Sequence, residues 1–243
     1  MKESGQQLPI IGIVPTFDEG EIIGAGGPGI ERIYLRRDYL RTIASIGATP
    51  LILSPEVPLR AIIAMCDGVV ISGGLDIDPR HYGEQPIPEL RKTEPDDRFK
   101  WEKELIEACD DNDIPILGIC YGIQRLNVHY GGSLIQDIPS VIGESVLHDN
   151  VKHEVLFKRE FLGFHPAEKR MVASRHHQAL ARLSDNASVC ATSADGVVEA
   201  AIFGGKHYGM QWHPESDETG VHVYRIFAEH CQAPLEEYNE SYE

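Results

Sequence analysis

The stretch Asp113-Ile-Pro-Ile-Leu-Gly-Ile-Cys-Tyr-Gly-Ile-Gln124 holds a thiol in a setting that favours chemistry. Gly118 and Gly122 flank Cys120 at spacing two. Ahead of it, Ile116, Leu117 and Ile119 read as the end of a short buried strand. Behind it, Ile123, Leu126, Asn127 and Tyr130 run at helical spacing until Gly131-Gly132. A nucleophile on a sharp strand-to-helix turn is the logic of the Gly-x-Ser-x-Gly elbow, here with sulfur. Glycines suit such a turn because they add no Cβ where backbone passes closely. A helix starting at Tyr121 would aim free N–H groups and its positive dipole end at the sulfur, favouring thiolate over thiol. Taken alone, the pattern describes a small buried apolar cysteine equally well. A base and an oxyanion site elsewhere in the chain decide between the two.

Both are present. His213-Pro214-Glu215 follows the extended run Tyr208–Trp212, and Pro214 biases His213 away from helix. A neutral imidazole there can take the Cys120 proton, with Glu215 holding the ring in one tautomer. Ser72-Gly73-Gly74 ends another apolar run, and glycine backbone N–H groups facing a cleft are what an oxyanion hole requires. Two further polar groups have plainer readings. Asp96 and Asp97 look like N-terminal charges of a helix. His176 and His177 form no metal pair by this reading, because adjacent side chains point apart and no third ligand is spaced to join them. No metal and no organic cofactor are expected.

The elements that must position these groups follow from periodicity. Pro9–Pro15, Pro50–Leu53 and Gly68–Ile71 read as buried strands, with Ile30–Ile46 and Pro58–Met65 as the intervening helices. Phe17–Gly29 is a glycine-rich loop, either a surface connection or a lid. Asp76–Pro88 is a further loop, and Asp96 to about Asp110 a helix that leads into the elbow strand. This β-α-β-α-β order predicts an α/β fold with a doubly wound, mostly parallel central sheet and flanking helices. In such a sheet the carboxyl ends of the strands share one rim, where Cys120, His213 and Gly74 can meet. Later strands (Val151–Phe157, Ala187–Thr192, Val197–Phe203) are more hairpin-like, with a turn at Asp195-Gly196, and Gly220–Cys231 closes with a helix. We expect one domain over 1–243, with a core from about 8 to 230 and an acidic tail at 232–243.

Composition narrows the setting. The 243 residues are 42% hydrophobic and 25% charged, ordinary values for a globular chain. A net charge of -16 makes nucleic acid and anionic membranes poor partners. No apolar run is long enough to span a bilayer, and no signal-peptide core opens the chain. Five scattered cysteines without CxxC spacing argue for a reducing compartment, and a cytoplasmic location is expected.

The motifs carry a resemblance. Gly118-Ile-Cys-Tyr-Gly-Ile-Gln124, Ser72-Gly-Gly74 and His213-Pro-Glu215 stand in the order and spacing of class I glutamine amidotransferase domains, which are flavodoxin-like in fold. Gly73–Glu84, Leu126-Asn-Val, Gly131–Asp137 and Ser174-Arg-His-His-Gln178 resemble the γ-glutamyl-γ-aminobutyrate hydrolase branch, peptidase family C26. The resemblance covers roughly residues 8–230. It implies Cys120 as nucleophile, His213 as base and then acid, Glu215 as orienter, and the N–H groups of Gly74 and Tyr121 as oxyanion donors. It implies a substrate-binding role for Gly73, Gln124, Ser174, His176, His177 and Gln178. The implied activity is hydrolysis of a γ-glutamyl amide, or of glutamine, through a γ-glutamyl thioester, by an enzyme that could form a homodimer. Tyr121 stands where the hydrolase branch often has arginine, which leaves the amine open. Two other readings remain: a glutaminase subunit feeding ammonia to a separate synthetase, and a non-catalytic binding or regulatory protein on the same scaffold.

Overall fold

The computed structural model describes residues 8–18 and 30–232. The described chain runs β1 (Ile10–Val14), β2 (Thr16–Asp18), β3 (Arg32–Tyr34), α1 (Arg37–Ser45), β4 (Thr49–Ile52), α2 (Leu59–Met65), β5 (Gly68–Ile71), α3 (Asp96–Asp111), β6 (Ile116–Ile119) and α4 (Tyr121–His129). It continues through β7 (Leu134–Ile135), α5 (Ile138–Val141), β8 (Val151–Phe157), β9 (Lys169–Ser174), β10 (Ala179–Leu180), β11 (Ala187–Ser193), β12 (Val198–Phe203), β13 (His207–Met210) and α6 (Gly220–Gln232).

Nine strands form one sheet in the order β4-β1-β5-β6-β13-β12-β11-β8-β9. The first five pair in parallel, and β13 through β9 pair antiparallel. β5 and β6 are apolar and buried at every position, as strands covered on both faces must be. One face packs Tyr39 and Ile43 of α1 and Tyr224 and Phe227 of α6 against the sheet. The other packs Ile62, Leu105, Ile106, Ile123 and Leu126 from α2, α3 and α4. The doubly wound parallel sheet with flanking helices is therefore present, extended by an antiparallel half. Among the described residues no helix is long and apolar enough to cross a membrane.

Two local expectations change. The helix expected over Ile30–Ile46 starts only at Arg37, and Arg32–Tyr34 instead form β3, paired with Thr16–Asp18. Ile30 and Ile33 are 46% and 52% exposed, so their spacing was not the start of a buried stripe. Arg37 is the first helical residue. The loop expected at Phe17–Gly29 begins as strand, and its residues 19–29 lie outside the described residues.

Candidate active site

β5, β6 and β13 are neighbours in the sheet, so the segments after their carboxyl ends lie side by side. Those segments carry Ser72–Gly74, Cys120 and His213. The backbone of Cys120 lies at φ 53° and ψ -100°, a conformation that a residue with a Cβ adopts only when its surroundings force it. The surroundings are tight. A Cβ on Gly118 would lie 2.5 Å from the Gly122 carbonyl, and one on Gly122 would lie 2.3 Å from the Ile71 oxygen. Two missing side chains thus let the elbow turn over β5. The Cys120 N–H donates to the Met210 carbonyl at 2.8 Å, which locks the elbow to β13.

The structure brings Cys120, His213 and Glu215 together. His213 Nδ1 is 2.7 Å from Glu215 Oε1, and the Glu215 carboxylate is fully buried. A Cβ on Gly73 would lie 2.9 Å from His213 Cε1 and 3.7 Å from the Cys120 Cβ, so ring and thiol flank the same glycine. Burial by itself would lower the His213 imidazole. The Cys120 sulfur, by charge and hydrogen bond, and Glu215 outweigh burial and raise it to about 9. The ring can therefore hold a proton beside the sulfur at neutral pH.

Gly74 and Tyr121 line a cavity of about 190 Å³ with Cys120, Gln124, His176, His177 and Gln178. Not every expected contact residue faces it. Gly73 donates its N–H to the Tyr39 hydroxyl at 3.0 Å and works as the gap between ring and thiol. Ser174 is buried with its hydroxyl donated to the His148 carbonyl, away from the cavity. Gln124 lines the cavity, but its Nε2 donates to the Gln178 carbonyl (3.0 Å) and Gln211 Oε1 (3.2 Å).

His176 and His177 do point apart, to different carboxylates. His177 sits between Asp76 (Nε2–Oδ1 2.8 Å) and Asp137 (Nδ1–Oδ1 3.2 Å). Burial would lower this ring, but the two carboxylates raise it above the usual histidine value. His176 faces Glu199 and is pushed down to about 4 by burial, which outweighs that carboxylate. The expectation that no further ligand joins these histidines is corrected for His176. His148, His153 and Glu199 converge on it within 4.8 Å, brought there from separate parts of the chain. Spacing along one strand or helix gave no signal of this.

The Tyr121 side chain turns away from the thiol. Its hydroxyl donates to Glu102 Oε2 at 2.7 Å, and its ring lies under the Arg98 guanidinium, 4.3 Å from the carbon. It therefore points into the protein rather than toward a leaving amine. Arg98 pairs with Glu94 and Glu102, each at 2.7 Å, and donates to the Ser72 carbonyl at 3.3 Å. This buried network props the Ser72–Gly74 turn from below. A Glu–Arg–Glu run at i, i+4 spacing was the available signal, but such ladders usually face solvent. Arg175 was also missed. Its Nη2 lies 3.3 Å from Glu215 Oε1 and donates to Ser216 Oγ at 2.8 Å, so Glu215 is shared between an imidazole and a guanidinium.

A second cavity, of about 290 Å³, lies across Gly73–Gly74 and adjoins His213. Phe17, Tyr34, Leu35 and Tyr39 contribute its apolar wall. The expected helix would have put Tyr34 and Leu35 elsewhere; the β2–β3 pairing places them here.

Fold and rim together define a class I glutamine amidotransferase-type protein. The family model described as Peptidase C26 matches residues 9–215, and the chain belongs to that family. The glutamine amidotransferase-like protein YvdE of Lactococcus lactis is 35% identical over 80% of this chain and 88% of its own. A glutamine-hydrolyzing GMP synthase subunit of Thermococcus kodakarensis is 30% identical, covering 86% and 97%. The gamma-glutamyl-CDP-amidate hydrolase of Campylobacter jejuni is 30% identical, covering 74% and 78%. Among solved structures, a glutamine amidotransferase from Thermotoga maritima shares the fold with a TM-score of 0.61 at 16% identity, covering 93% of this chain and all (100%) of that one.

Proposed function

We propose that this protein hydrolyses γ-glutamyl amides through a γ-glutamyl thioester on Cys120. His213 takes the Cys120 proton, the sulfur attacks the γ-carbonyl carbon, and the carbonyl electrons move onto oxygen. The backbone N–H groups of Gly74 and Tyr121 hold that oxyanion at no reorganisation cost. As the intermediate collapses, the C–N bond breaks and the His213 imidazolium gives its proton to the departing amine. Water, losing a proton to His213, then attacks the thioester and releases glutamate and the thiolate. Glu215 keeps the ring oriented and stabilises its cation throughout. The cavity holding Cys120 has an acidic group (Asp76) and basic ones (Arg91, Lys92, Arg175) around it, suited to the ammonium and carboxylate of a glutamyl end.

The observation that carries the hydrolase reading is the 290 Å³ cavity beside His213. It adjoins His213, the proposed proton donor to the departing amine, and its apolar wall suits an amine with a carbon chain. Ammonia needs no such room. The likeness to the Campylobacter hydrolase, whose name carries a γ-glutamyl substrate, agrees with this. The likeness to a GMP synthase subunit favours a second reading, in which glutamine is the substrate and ammonia passes to a synthetase.

Comparing kcat/KM for glutamine with a series of γ-glutamyl alkylamides, in the purified chain alone, separates the two. The hydrolase reading expects the alkylamides to be preferred by about 10-fold or more, the scale of discrimination an apolar pocket supplies. Glutamine turnover that appears only with an added synthetase would overturn it. Leu35→Trp, which fills the cavity, should raise KM for the longer amides and leave glutamine turnover little changed.

A further inference from the structure

Behind the wall of the glutamyl cavity, four side chains from four segments point at one place. They are His148 in the loop before β8, His153 on β8, His176 after β9 and Glu199 on β12, all buried. Glu199 Oε1 lies 3.3 Å from His148 Nδ1, 3.1 Å from His153 Nε2 and 3.8 Å from His176 Nε2. A tetrahedral ion with bonds of about 2.0–2.1 Å separates its ligand atoms by about 3.3 Å. Two of these spacings match that edge; the third is longer, and all four ligand atoms lie within 4.8 Å of one another.

The outer nitrogens settle which way the protons face. His153 Nδ1 lies 3.0 Å from the Leu147 carbonyl, and His176 Nδ1 3.0 Å from the Gln178 carbonyl. Carbonyl oxygens only accept, so both nitrogens carry hydrogen. His148 Nε2 lies 3.0 Å from the Asp195 carboxylate and is held the same way. In its neutral form each ring would turn a lone pair inward, toward a carboxylate. Lone pairs facing a buried anion repel unless a cation sits among them. Protons on the rings are one remedy, but the alignment is poor. Among the described residues, the three inner nitrogens and both Glu199 oxygens make no well-directed hydrogen bond. Imidazoles anchored through their outer N–H to carbonyl or carboxylate oxygens are what metal-ligating histidines require.

We infer that His148, His153, His176 and Glu199 form a closed four-ligand site for a zinc-class divalent cation. Three imidazoles and a carboxylate suit zinc in hardness and in number, and four protein ligands leave no open position for chemistry. The ion's role is structural. It ties β8 and β12 to the segment that supplies Arg175, His176, His177 and Gln178 to the cavity. Ser174 and the His176 N–H both bond the His148 carbonyl, so the same segment is already stitched to the ligand loop.

The test is metal content of the full-length chain, made without a histidine tag, stripped with chelator and re-equilibrated with zinc or cobalt. We expect about one ion per chain at about micromolar free metal. We also expect a rise in thermal midpoint with zinc and visible Co(II) bands of a tetrahedral site. Cys120→Ala should behave the same way, which separates this site from the hydrolase reading. Folded Glu199→Gln and His153→Gln should retain less than about a tenth of the ion. Uptake unchanged in either folded variant overturns the site. So does wild-type protein that takes up no ion under these conditions, a result that needs no variant to fold and would mark the cluster as held by protons.

Discussion

Two imidazole–carboxylate constellations lie within one molecule, and they are built in opposite ways. At the rim, His213 has Glu215 on one side and the Cys120 sulfur and a cavity on the other. Its partner carboxylate is two residues away, and one flank is left open to a reacting atom. In the buried cluster, each outer nitrogen is tied to a carbonyl or carboxylate and each inner nitrogen faces Glu199. No flank is open. The contrast teaches that histidine and glutamate in proximity do not define a role. What defines it is which ring nitrogen is committed and what the other one faces.

The largest test of the rim is Cys120→Ala. Removing the sulfur should lower turnover by at least about 10⁴-fold with an unchanged far-UV spectrum, since no other group at the rim can form a thioester. Full activity in that variant would remove the enzyme from consideration. Glu215→Gln comes next. It keeps the shape but loses the charge that stabilises the imidazolium, so kcat should fall by about 10²–10⁴-fold. Arg175 also loses a partner there, so Arg175→Gln as a control should lower kcat far less, with any lost glutamyl binding read in KM. A drop of equal size in both would assign the effect to the ion pair with arginine rather than to the ring.

The pH dependence sharpens the comparison further. His213 is raised to about 9, so its proton is present below that value and is lost as pH rises through it. kcat/KM should therefore decline on the alkaline side around pH 9 as the acid for the departing amine disappears. The sulfur contributes the first of the raising effects, so in Cys120→Ala the His213 ring should titrate lower, read by NMR of its ring protons. An unmoved titration would mean that ring and thiol do not interact. The smallest effect belongs to Tyr121→Phe. It breaks the 2.7 Å bond to buried Glu102 and should destabilise the fold by about 1–3 kcal/mol, read by denaturant unfolding. Turnover should stay within about threefold, because the lost hydroxyl faces Glu102 rather than the thiol; a large fall in kcat at full stability would place that hydroxyl in the reaction.

Where motif and local geometry coincide, residue order alone was informative. Gly118, Gly122 and the proline beside His213 act within a few residues of the groups they position, and the structure accounts for each of them. The first two turns of the expected Ile30–Ile46 helix are absent for a related reason. Two apolar residues at helical spacing carry no information on whether a strand partner exists, and Thr16–Asp18 supplied one. The side chains of Ser174 and Tyr121 were not placed by the motifs. Both lie in the motifs that carry the resemblance, but their side chains turn inward to partners far along the chain, His148 and Glu102.

The linear chain by itself determined the sheet type, the strained thiol and the histidine beside it, because strand periodicity and turn chemistry are local. Only the packed structure decided the cavity beside His213, the Arg98 buttress and the meeting of His148, His153, His176 and Glu199. Those depend on which strands become neighbours and which way each side chain leaves its backbone, and both are outcomes of burying two apolar faces of one sheet at once.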